Sequence, residues 1–178
     1  MLTIDPQKSV VLVIDFQTRL MAAIHESDTV IRNARKLVDI AKLFDVPNLF
    51  TEQNPQKLGG TVEALPVEGS PFAKFAFDVC REPGFLARIP EDADVVVAGC
   101  EAHVCVLQTV LGLRATDRKV FVARDAIGSR RPEDKEAAIR RMERHGAEIV
   151  TTEMVAFEWL QTAEHLNFRQ ASALIKPV

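Results

Sequence analysis

The amino-acid sequence predicts an α/β fold, a mostly parallel sheet with helices on each side, and three observations lead there. Apolar segments of strand length alternate with segments of helical period, the pattern of strands joined by crossover helices. Two of the strand-length runs, VVLVI and VVVA, are apolar without a break, as expected of strands covered on both faces. The 178 residues are 47% hydrophobic and 26% charged, enough to bury one sizeable core, and no composition break, internal repeat or low-complexity tract marks a second domain. Residues 1–178 are therefore read as a single domain.

The elements follow in order. SVVLVID (9–15) is the first strand. From Asp28 to Phe44 the residues Val30, Ala34, Leu37, Val38, Ala41 and Phe44 recur at helical spacing, and Pro47 separates this helix from the strand PNLFT (47–51). A loop rich in Gly and Pro (Asn54 to Pro71) leads to KFAFD (74–78), read as a short strand, and to a helical stretch, REPGFLARI (81–89). The strand ADVVVAGC (93–100) and a helix around VLQTVLGLRATD (106–117) come next, then the strand KVFVARDA (119–126), the amphipathic helix PEDKEAAIRRMERHG (132–146) and the strand AEIVTTE (147–153). The charge run in the last helix reads as its solvated face, with Glu136 and Arg140 at supportive spacing. VAFEWL and FRQASALI near the carboxyl end form more amphipathic surface than the domain needs, and a homo-oligomer is expected to cover it.

Composition narrows the function classes. A net charge of −3 gives no basic footprint, so no nucleic-acid partner is expected. The start MLTIDPQKS lacks the features of a signal peptide, no apolar run is long enough to cross a bilayer, and three cysteines do not form a disulfide framework. These features predict a reduced, cytoplasmic protein with no membrane partner.

In an open parallel sheet, ligands bind beyond the carboxyl ends of the strands where the winding reverses. If the chain winds outward and then returns past the first strand, Asp15 at the end of SVVLVID meets Cys105, which follows VVVAG and opens a helix. A helix start favours thiolate over thiol, and a carboxylate nearby can take the proton while repelling the anion. Such a site calls for a cation, and Lys74, among Phe72, Phe75 and Phe77, is the candidate, since a lysine in apolar surroundings pairs with an acid.

An aspartate closing VLVIDFQ, a lysine in the middle loop, and the turn GCEAHVCV opening a helix resemble the isochorismatase-like cysteine hydrolase family over nearly the whole chain. The wording TEQNP and GCEAHVCVLQT is most similar to its small, poorly characterised members. The resemblance implies a three-layer α/β/α sandwich with a Rossmann-like sheet and a triad of Asp15 as general base, Lys74 as charge-stabilising partner and Cys105 as nucleophile. It also implies a cis peptide joining Cys100 to Glu101, with the N–H groups of Glu101 and Cys105 forming an oxyanion hole. The reaction would be acyl transfer from a small amide or ester through a thioester. Phe16, Gln17, Gln53, Phe75, Phe77 and His103 are expected to line a compact, largely apolar substrate pocket.

Two departures narrow the substrate. Family members that hydrolyse nicotinamide carry an aspartate and histidines for a metal after the second strand, where this chain reads TEQNPQKLGG, so no metal and no other cofactor is expected. Isochorismatases proper act on a vinyl ether and need no thiol, so Cys105 argues against isochorismate. A nucleotide-binding protein would need G-x-G-x-x-G where this chain has DFQTRL, and a cysteine-loop phosphatase would need an arginine closing VLQTVLG. The serious rival is a non-catalytic interaction or redox-sensing module with a reactive Cys105. Cys80 and Cys100 read as structural, His103 as a polar residue at a helix start or an interface, and Asp125 as a cap at a strand end.

Overall fold

Alternation of side chains along the strands sorts the core into two layers, one on each face of a sheet. The computed structural model describes residues 2–176. β1 (Ser9–Ile14) is followed by the short α1 (Thr18–Met21), the long amphipathic α2 (Ser27–Leu43), β2 (Asn48–Gln53), the single turn α3 (Pro55–Leu58) and β3 (Phe72–Lys74). β4 (Asp94–Cys100) leads through a π turn, Ala102–Val106, into α4 (Leu107–Arg114). β5 (Val120–Gly128), α5 (Pro132–Arg144), β6 (Glu148–Val150), α6 (Thr152–Leu160) and α7 (Phe168–Ile175) complete the chain. All neighbouring strands pair in parallel, in the order β3-β2-β1-β4-β5-β6.

On one face, Val11 and Val13 of β1, Val96 and Ala98 of β4, and Phe121 and Ala123 of β5 pack in a core layer with α2, α6 and α7. On the other, Val10, Leu12, Ile14, Val95, Val97, Val120 and Val122 pack in a layer with α4 and α5. This is the three-layer α/β/α arrangement expected. β1 and β4 approach closely at Gly99, where a Cβ would meet Ile14 Cβ at 2.7 Å, Ile14 O at 2.8 Å and Val106 Cγ2 at 2.9 Å. The chain winds outward from β1 to β3 and then returns to β4 on the other side of β1, so the winding reverses between β1 and β4.

Three elements differ from the sequence reading. β3 ends at Lys74, where KFAFD was read to begin, because the next carbonyls turn inward to bond side chains instead of a neighbouring strand. The stretch 81–89 forms no continuous helix: it begins on the last residue of one 3-10 turn, Val79–Arg81, and contains a second, Leu86–Arg88. Pro83 holds Glu82 extended at ψ 130°, and Gly84 then takes φ +79°, which breaks any continuous helix. The strand AEIVTTE stops at Val150 because Thr151 caps α6, accepting a hydrogen bond from Met154 N. Much of the apolar surface foreseen near the carboxyl end is core: Val155, Ala156, Trp159, Leu160 and Ala171 are buried, while Met154 and Phe157 stay exposed. Among the described residues, no helix is long and apolar enough to cross a membrane.

Candidate active site

Four parallel strands deliver their carboxyl ends to one place. Asp15 follows β1 at φ +55°, turning the chain sharply out of the strand, and its side chain is fully buried. Lys74 closes β3, also fully buried, and its Nζ lies 2.7 Å from Asp15 Oδ2. Thr51 of β2 donates its hydroxyl to the other carboxylate oxygen, Oδ1, at 2.7 Å, and Asp15 N donates to Thr51 O at 3.1 Å. The carboxylate is thus fixed on both oxygens. A buried charge is stable only when paired and hydrogen-bonded, and both conditions are met.

The ammonium is equally confined. Besides its ion pair with Asp15, it donates to Gln53 Oε1 at 2.6 Å, with Ala76 O at 3.3 Å and Phe77 O at 3.4 Å. Gln53 Nε2 donates to Phe75 O at 2.7 Å, so its carboxamide presents oxygen to the lysine. Gln17, fully buried, holds the Gln53 backbone from behind: its Oε1 accepts from Gln53 N at 2.8 Å and its Nε2 donates to Gln53 O at 3.0 Å and Gly59 O at 2.6 Å.

Cys105 is the fourth residue of the π turn leading into α4 and is 5% exposed, with Sγ 3.9 Å from Gln53 Oε1. Burial pushes its thiol up from the ordinary 9.0 to about 12. Asp15 adds to this through charge and hydrogen bonding, while Lys74 opposes it through the same two effects. The sequence reading had a cation and a helix start favouring thiolate. In the structure burial outweighs the cation, and the balance favours the neutral thiol. The Cys100–Glu101 peptide is cis, and Glu101 Oε1 pairs with Arg130 Nε at 2.7 Å. His103 Nδ1 lies 3.0 Å from Ser129 Oγ.

The residues expected in the pocket separate into groups. Gln53 borders the thiol and the lysine, and Gln17 supports it from within. Phe16 is 1% exposed and packs in the α2 layer, on the sheet face opposite the layer that holds Cys105, so it is core and not pocket lining. Phe75 and Phe77 enclose no apolar pocket: they are 71% and 50% exposed, while Phe75 O accepts from Gln53 and Phe77 O lies against Lys74. His103 and the Glu101 side chain are engaged by the loop after β5. A cleft of about 410 Å³ lies at the opposite, amino end of the strands, lined by Lys8, Asp45, Pro90 and Asp92 among others. The sequence reading missed Thr51, a lone hydroxyl aligned with Ile14 across the sheet, and Glu82, which no local pattern marks. Among the described residues, no three His, Cys, Asp or Glu side chains are grouped to hold a metal ion.

Comparisons with known proteins bear on this geometry. A family model described as the Isochorismatase domain matches residues 9–154. Isochorismatase domain-containing protein 2 of Danio rerio is 31% identical over 170 residues, covering 94% of this chain and 86% of its own. The structure of MAR1 ribonuclease from Caenorhabditis elegans matches with a TM-score of 0.89 at 32% identity, over 97% of this chain and 92% of that one. The YcaC gene product of Escherichia coli, described as an octameric hydrolase of unknown specificity, shares the fold with a TM-score of 0.84 at 22% identity, over 97% and 96% of the two chains.

Proposed function

The chain belongs to the isochorismatase family, whose members are generally hydrolases, and we propose that it hydrolyses a small amide or ester through a thioester on Cys105. The observation that carries this reading is the buried Asp15–Lys74 pair at 2.7 Å beside the buried Cys105 thiol. Asp15 takes the Sγ proton as sulfur attacks the substrate carbonyl carbon, so thiolate forms only when it is used. The oxyanion is held by the N–H groups of Glu101 and Cys105. Collapse breaks the bond to the leaving amine or alcohol, which receives the proton from Asp15. Asp15 then deprotonates a water that attacks the thioester, the carboxylic acid leaves, and the proton returns to sulfur. Throughout, Lys74 stays paired with Asp15 and balances the developing sulfur charge.

One structural relative is described as a ribonuclease. A small substrate is proposed for this chain because the net charge is −3 and Cys105 lies recessed at 5% exposure, beyond easy reach of a polymer backbone. A homo-oligomer is proposed as well: Phe75, Phe77, Met154 and Phe157 remain exposed, and the E. coli relative is described as octameric. A light-scattering mass above that of one 19.8 kDa chain is expected. The deciding experiment screens small amides, ureas, esters and a short RNA against wild type and Cys105→Ala, with and without EDTA. Hydrolysis of an amide or ester that is lost in Cys105→Ala and survives EDTA is expected. RNA cleavage, or turnover indifferent to Cys105, would overturn the reading.

A further inference from the structure

The segment that follows β3 has an unusual polarity. Three consecutive carbonyls, those of Phe75, Ala76 and Phe77, face the site: the first accepts from the Gln53 carboxamide and the other two lie against the Lys74 ammonium. Two consecutive N–H groups, those of Phe75 and Ala76, face outward, and both donate to one carboxylate oxygen, Glu82 Oε1, each at 2.7 Å. Glu82 is itself fixed, since its N donates to Val79 O at 3.0 Å, Phe85 N donates to its O at 3.2 Å, and Pro83 follows it. Those two bonds, from Ala76 and then Phe75, hold the Glu82 carboxyl below the usual carboxylate range. Among the described residues the carboxylate forms no salt bridge within 4 Å, so its hydrogen-bonding capacity goes to the loop backbone.

We propose that Glu82 is a positioning residue for Lys74: it clamps the outer N–H groups of residues 75 and 76 and thereby turns the carbonyls of 75 to 77 onto the ammonium and the Gln53 carboxamide. The proposal rests on the hydrolase reading, in which Lys74 must stay beside Asp15 and the thiol. Glu82 bonds no side chain of the triad; it acts through the 75–77 backbone, whose carbonyls at Ala76 and Phe77 meet the Lys74 ammonium.

Reach separates this clamp from a charge effect. Glu82→Gln keeps a carbonyl oxygen at the same distance without the charge, whereas Glu82→Asp keeps the charge and withdraws the acceptor by one methylene. With the clamp released, the ammonium shifts, the thiol loses the lowering that Lys74 provides, and a rise of one pKa unit slows Cys105 alkylation at fixed pH about tenfold. In turnover of a substrate found in the screen, Glu82→Asp should lose about tenfold or more in kcat with KM changed less than about twofold. Glu82→Gln should stay within about threefold of wild type in both measurements. Wild-type behaviour of Glu82→Asp, or equal loss in both variants, overturns the proposal. If wild type shows no Cys105-dependent turnover, the hydrolase reading falls, and the alkylation comparison alone decides the clamp.

Discussion

Replacing Asp15 by Asn should separate two properties that usually travel together, the reactivity of a thiol and the activity of the enzyme built on it. At pH 8 an ordinary thiol of pKa 9.0 is about one-tenth thiolate, and Cys105, at about 12, is about one part in ten thousand thiolate. Asp15 contributes to that suppression by charge and by hydrogen bond, second only to burial. Asp15→Asn removes the charge and leaves the ammonium of Lys74 to serve the sulfur, with Gln53, Ala76 and Phe77 still holding it in place. If Asp15 accounts for about one to two pKa units, Cys105 alkylation at pH 8 should speed up about 10-fold to 100-fold. Turnover should fall by a factor of about 10² to 10⁴, because no base remains to take the thiol proton. The assay is site-resolved mass spectrometry of iodoacetamide labelling across pH 7–10, with circular dichroism to confirm folding and hydrolysis measured on the same samples. An Asn variant that alkylates no faster than wild type, or that still turns over substrate, refutes the argument that Asp15 is the base.

The buried pair should be worth less than either of its halves suggests: Asp15→Asn or Lys74→Met alone should cost about 3–5 kcal/mol in urea unfolding, while the double variant should cost less than either. Raised thiol pKa values favour the protonated fold, so stability is complete below the ordinary thiol pKa and declines as pH climbs from about 9 toward about 12. Cys105 contributes about 4 kcal/mol to that loss, and Cys80 and Cys100 act in the same direction; a melting temperature that stays flat over this window would contradict it. Gly99→Ala should destabilise by about 3 kcal/mol or more, because its methyl would meet Ile14 and Val106 below 3.0 Å, with both strands lining the site unable to give way; denaturant unfolding measures it directly.

Much of this arrangement could be read from sequence because it depends on topology. Once β1 and β4 are neighbours, Asp15 and the turn carrying Cys105 must share the switch point, and the unbroken apolar strands made that pairing legible. What escaped was set by orientation at a scale finer than spacing. Phe16 is adjacent to Asp15, yet the turn sends its ring into the α2 layer, and nothing in DFQ distinguishes the two directions. Phe75 and Phe77 read as pocket walls because they are apolar, but in this segment the carbonyls face inward and the rings go out. KFAFD looked like a strand for the same reason: its alternation is real, but its backbone bonds side chains. Thr51 bonds a carboxylate 36 residues away and Glu82 a backbone turn six and seven residues back, and a polar side chain bonding outside its own element leaves no periodic signal.

β3 is three residues long and sits at the sheet edge, with Lys74 opposite Gln53 of β2. So short an edge strand has little ladder of its own to keep it in register. A slip of one residue would turn Lys74 to the other face of the sheet and bury the Asp15 carboxylate with no cation against it. The Asp15–Lys74 pair therefore also discriminates among alignments of the last strand on that side, favouring the one that completes the site.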